Sequence, residues 1–98
     1  MIREKEVEIT EEDIKNAIKL NPTRDPVAFA LRRAFCSEYV SVGVGKAYVF
    51  KDAKFFEVNI PKDVAKFLLE FDLGETVKPI KFVAELLDKP EKEDKIEV

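Results

Sequence analysis

Asn21-Pro-Thr-Arg-Asp-Pro-Val-Ala-Phe-Ala-Leu-Arg-Arg-Ala-Phe35 reads as a helix with a well-marked start. Asp25 offers a side-chain oxygen to the free backbone amides, and Pro26 has the fixed φ that suits a first helical position. Val27, Ala30, Leu31, Ala34 and Phe35 then recur at helical spacing. They predict a buried face whose alanines allow close approach to a neighbour. Arg32 and Arg33 fall on the outer flank, near the helix C-terminus, where the backbone dipole favours positive charge. Phe29 flanks the main stripe and has two open readings, a second core contact or part of an exposed patch.

Upstream, residues 2–9 alternate as a strand, with Val7 and Ile9 on one side and Glu6 and Glu8 on the other. Thr10 and Asp13 have the spacing of a capping box, and Ile9 and Ile14 that of a hydrophobic staple. Ile14, Ala17 and Ile18 form an apolar stripe, which predicts a helix running to Leu20 or Asn21 before Pro22. Downstream, residues 39–58 read as a three-strand meander. Gly45-Lys46 is expected to form its first hairpin turn and Lys51–Lys54 its second. Gly43 is read as a bulge or a close backbone approach. Pro61 opens a third helix with Val64, Phe67, Leu68 and Phe71 inward, and Leu73-Gly74 closes it. After Pro79, alternation from Ile80 to Leu87 predicts a last strand, with a short helix over 83–87 as the competitor.

The expected order is β-α-α-β-β-β-α-β. That is a two-layer α+β domain of about four to five mainly antiparallel strands and three helices, over residues 1–87. Residues 88–98 read as a charged, flexible tail. A solubilising role is preferred for it over a segment that docks through Ile96 and Val98.

Composition narrows the function. Among 98 residues, 46% are apolar, enough to exclude disorder throughout, and 38% are charged, well above the usual quarter. Abundant Lys and Glu with no Gln is the bias of hyperthermophile proteins and suggests a thermophilic source. The net charge of −3 argues against a protein coated for duplex DNA or anionic lipid. The lone cysteine, Cys36, permits no internal disulfide and suits a reduced, cytoplasmic setting. No window is apolar over the length a membrane span needs.

The absence of histidine excludes imidazole triads and, with one cysteine, Cys/His zinc sites within one chain. Gly43-Val44-Gly45-Lys46 lacks the spacing of a phosphate loop and sits in strand-like sequence. Cys36 has no base near it and reads as a small buried residue. We therefore expect no catalytic residue, no metal and no cofactor. The basic candidates are Arg24, Arg32, Arg33 and Lys46. Three of the four arginines lie in or beside the second helix, where their forks suit phosphate or carboxylate partners. Phe55 and Phe56 are adjacent in a strand and point to opposite faces, so a one-sided sheet cannot bury both against the same helices.

Asp25-Pro-Val-Ala-Phe-Ala-Leu-Arg32 resembles the Cys-Pro-Ile/Val-Ala-x-Ala-Ile/Leu-Arg/Lys segment of small uncharacterised phage and prophage proteins. Phe71-Asp72-Leu73-Gly74-Glu75-Thr76-Val77-Lys78-Pro79-Ile80-Lys81-Phe82 resembles their F-D-x-G-x-x-V-x-P-x-x-F segment. The resemblance spans roughly residues 7–86 and departs at Asp25, where those proteins have Cys. It implies an accessory protein of a virus or mobile element, acting in the host cytoplasm, and carries over no activity, ligand or catalytic residue.

These observations lead to a non-enzymatic protein-binding module. Its expected contacts are Phe29, Arg32, Arg33, Arg24 and Lys46, with one outward aromatic of the sheet. Reversing the charge of Arg32 and Arg33 is expected to spare the fold and abolish partner capture. The partner is an unidentified protein or a second copy of the chain, with no membrane and no small-molecule substrate indicated. A nucleic-acid-binding accessory protein and a structural subunit of an oligomer are the alternatives.

Overall fold

The computed structural model describes residues 3–88. Its elements run β1 (Glu4–Ile9), α1 (Glu11–Asn16), α2 (Pro26–Phe35), β2 (Tyr39–Val42), β3 (Lys46–Lys51), β4 (Lys54–Asn59), α3 (Lys62–Asp72), β5 (Ile80–Glu85) and β6 (Leu87–Asp88). The architecture is two-layer α+β, and every strand pairing is antiparallel.

The core forms where the two periodicities meet. Helix α2 buries Val27, Ala28, Ala30, Leu31 and Phe35. Against them lie Val40 and Val42 of β2, Ala47 and Val49 of β3, and Phe56 and Val58 of β4. The strand registers place these six on one sheet face, Val40 opposite Val49, Ala47 opposite Val58 and Val49 opposite Phe56. Complete burial of each Val, Leu or Phe contributes about 1.5–3 kcal/mol. Val7 and Ile9 of β1, with Phe82, Ala84 and Leu86 from the other end of the chain, close the core.

There are two sheets, β1-β5 and β2-β3-β4-β6. The sixth strand goes beyond the expected count. The backbone N–H of Leu86 donates to the Arg3 carbonyl at 2.7 Å, ending the β1 ladder, and the next two residues pair with β4. The inward alternation of Phe82, Ala84 and Leu86 selects strand over helix for this segment. Asp88, expected to begin the tail, is a β6 residue bridged to Arg3 (3.4 Å) and Lys54 (3.1 Å). The rest of the expected tail lies outside the described residues.

The local start signals hold. Thr10 accepts from the Asp13 N–H while Asp13 accepts from the Thr10 N–H, a complete capping box. Asp25 caps α2 by accepting from the Ala28 N–H at 2.7 Å. Two local expectations are corrected. Helix α1 stops at Asn16, not Leu20, because the Ile18 N–H donates to the Arg24 carbonyl at 2.9 Å and pulls the chain out of helical bonding. Ile18 is consequently exposed. The first hairpin turn centres on Val44-Gly45, one residue earlier than expected, because Gly45 holds the left-handed position at φ 77°. At Gly43 an added Cβ would make only ordinary contact with the Lys46 carbonyl, so close approach does not explain that glycine.

Candidate functional site

The face of β2-β3-β4 turned away from α2 carries a row of aromatic rings. Tyr39 lies opposite Phe50, and Phe50 opposite Phe55. The Phe50 and Phe55 centroids are 4.9 Å apart with rings tilted by 59°. Tyr39 meets Phe55 edge-on at 6.2 Å and 85°. All three stay exposed, at 44%, 36% and 42% for Tyr39, Phe50 and Phe55, while Phe56 is buried at 2%. The opposition of Phe55 and Phe56 is thus realised, with Phe55 outward.

Two turns hold the row in place. The Ser37 hydroxyl accepts from the Tyr39 N–H at 3.1 Å and donates to the Phe50 carbonyl at 2.6 Å, tying the start of β2 to β3. Beyond Phe50 and Phe55, Lys51 pairs with Lys54 around a two-residue turn of Asp52 (φ 54°) and Ala53 (φ 63°). Neither residue is glycine, although this turn type favours glycine, so the turn stores strain beside the row.

The next row on this face places Tyr48 opposite Glu57 and Glu57 opposite Leu87. Glu57 is buried, with Oε1 3.4 Å from Lys46 Nζ and Oε2 without a hydrogen-bond partner among the described residues.

The five expected contact residues do not form one patch. Arg33 turns its guanidinium onto the buried Asp13 carboxylate, with two bonds of 2.8 Å, and onto the Glu8 carbonyl at 2.8 Å. That partner holds the Asp13 carboxyl below its usual range, against the opposing effect of burial. Arg32 donates to the Thr23 carbonyl at 2.9 Å and lies 5.0 Å over the half-buried Phe29 ring. Arg24 is exposed in the loop before α2. Lys46 faces Glu57, on the side of the sheet opposite α2, and does not join the arginines.

A second feature was not anticipated. A groove of about 570 Å³ opens between α3, the tip of the β2–β3 hairpin and the loop before α2. Leu20, Val44 and Leu69 are exposed at it, and Asp25 and Asp72 line it. Leu20 holds a left-handed φ of 59°, fixed by its N–H donating to Asp72 Oδ1 at 2.9 Å. Burial pushes the Asp25 carboxyl up to about 7, and the charge of Asp72 adds to the rise. One sequence signal was available. Asp72 is the last residue of α3, where the helix dipole disfavours a negative charge.

Among the described residues no three Asp, Glu or Cys side chains converge as a metal site, and no helix is long and apolar enough to cross a membrane. Comparison with protein-family models, with curated proteins and with solved structures finds no match to this chain. The likeness to small phage proteins rests on its motifs alone.

Proposed function

We propose that the chain is a non-enzymatic, cytoplasmic protein-binding module, and that the Tyr39–Phe50–Phe55 row is its contact surface. The observation that carries this is the row itself, three exposed rings on one sheet face with Phe55 against both Tyr39 and Phe50. Aromatic side chains bring large apolar area with few rotatable bonds, and they dominate the energetics of protein interfaces. Cys36, expected to be buried, is instead exposed at the C-terminus of α2; a free thiol fits a reduced setting, and the absence of histidine supports a non-catalytic role.

The ring geometry favours a protein over single-stranded nucleic acid. Base stacking needs flat ring faces offered to solvent. Here the edge of one ring meets another at 85°, and the remaining pair is tilted at 59°. The net charge of −3 adds no long-range attraction for phosphate.

The test is affinity capture from source-cell lysate, with and without nuclease, using the wild type and the Phe50→Ser/Phe55→Ser double variant. A defined protein retained by the wild type after nuclease and lost by a folded double variant is the expected result. Equal retention by both proteins would refute the surface. Recovery that vanishes with nuclease would transfer the function to nucleic acid.

A further inference from the structure

The groove beside α3 combines two properties that ordinary surface clefts lack together. Its walls are aliphatic, with Leu20, Val44, Leu68 and Leu69 among them, and its polar groups include two carboxylates, Asp25 and Asp72. Asp25 is only 3% exposed. Among the described residues, neither carboxylate is within salt-bridge distance of a cation. Lys66, also at the groove, points to Glu70 at 3.8 Å.

We propose that this groove is a binding site for a small apolar amine, its ammonium group between Asp25 and Asp72 and its hydrocarbon body against the leucines. The volume of about 570 Å³ lies within the range of small-molecule sites. Charge complementarity selects the class. Two carboxylates in an apolar setting repel an anion and leave a neutral ligand's binding without the missing counter-charge. Each carboxylate already accepts one backbone N–H, Asp25 from Ala28 and Asp72 from Leu20; an ammonium supplies the missing positive charge and donates charge-assisted bonds, which are the strong ones.

The backbone at the groove is shaped by one of these acids. A leucine at φ 59° is uncommon and costs free energy, and such residues cluster where a ligand is held. Here the strain presents an apolar side chain, 78% exposed, at the groove while its own N–H orients Asp72. The charged groups acting on Asp25 are Asp72 from α3 and Arg32 from its own helix. The raised Asp25 carboxyl is what a buried acid with no cation at salt-bridge distance should show, and at pH 8 it is largely ionised.

The site is distinct from the aromatic row, so either can fail alone. The experiment is an NMR titration of backbone amides at pH 8 with hexylamine and, separately, with hexan-1-ol. It uses the wild type, Asp25→Asn and Asp72→Asn. Asn caps a helix as well as Asp does, which keeps the first variant folded. The expected result is saturable shifts in residues 20–25, 42–45 and 65–72, with hexylamine bound about tenfold more tightly than the alcohol. Each variant should lose that preference and keep weak alcohol binding. Equal affinity for amine and alcohol, undiminished preference in both variants, shifts centred elsewhere, or no saturable shift would each overturn the proposal.

Discussion

Replacing Arg33 by alanine should cost the fold far more than replacing its neighbour Arg32. The Arg33 guanidinium makes two 2.8 Å bonds to Asp13 and one to the Glu8 carbonyl, joining α2 to α1 and β1. The Asp13 side chain is only 6% exposed, so its carboxylate cannot turn to water when the arginine is gone. Arg33 itself is about half exposed, which screens the pair and places its worth at the low end for charged hydrogen bonds, about 2 kcal/mol. With an unfolding entropy of about 0.2 kcal/mol/K for a chain of this length, Tm should fall by about 10 °C. Arg32→Ala loses one carbonyl bond and a cation–π contact and should lower Tm by about 3–5 °C. Thermal denaturation followed by circular dichroism at pH 7 measures both.

The pH dependence provides a second check. The Asp13 carboxyl is held below its usual value of 3.8 in the folded state. The stability it contributes is therefore complete above that value and is lost as pH falls through the folded-state pKa. The gap between wild type and Arg33→Ala should persist at pH 7 and shrink below about pH 4. An Arg33→Ala protein that melts within about 2 °C of the wild type at pH 7 would refute the structural role of the fork. In that case double charge reversal becomes a clean probe of binding; otherwise only Arg32 is one.

Ala53→Gly should stabilise the protein by about 1 kcal/mol, read as a rise in Tm, because it relieves one left-handed residue of the β3–β4 turn. The reverse change at Gly45, φ 77°, to alanine should destabilise by about the same amount, although a Cβ there meets no neighbour. Phe56→Ala should cost about 3–5 kcal/mol in urea unfolding and Phe55→Ala under about 1 kcal/mol, since only the first ring is buried. Asp25 titrates near 7 when folded and near 3.8 when unfolded, so the wild type should lose stability as pH rises between those values. Asp25→Asn should stay flat over that window and exceed the wild type at pH 8, by at most about 4 kcal/mol; a variant that loses stability in parallel would show that Asp25 is not the titrating group.

Helix α2 was legible because its signals are local. Its cap, its proline and its apolar stripe all lie within eleven residues, and each acts on its immediate neighbours. The same holds for Thr10 and Asp13. What failed was set by distant partners. The end of α1 depends on the Arg24 carbonyl, which the periodicity of Ile14, Ala17 and Ile18 does not register. Alternation placed Phe55 and Phe56 on opposite faces, but deciding which one faces outward required the register with β3. The arginines were read as one outer flank because helical spacing says where a side chain leaves the backbone, not what it meets. Arg33 meets an aspartate twenty residues earlier, while Arg32 folds back on its own loop. The groove joins residues from α3 and the loop before α2, and its acids come from positions 25 and 72.

The ladder between β1 and β5 sets a timetable for synthesis. Glu4 pairs with Glu85 and Ile9 with Ile80, so the first strand to be made has no partner until nearly the whole domain exists. At roughly 5–20 residues per second, β1 waits on the order of 4–15 seconds on the ribosome. Throughout that interval Val7 and Ile9 lack their β5 partners, Phe82 and Ile80. Glu4, Glu6 and Glu8 keep one face of the waiting strand charged, and Lys5 interrupts the other, which discourages pairing with a second nascent chain. The acidic face of β1 thus acts during birth, before the fold it later borders has formed.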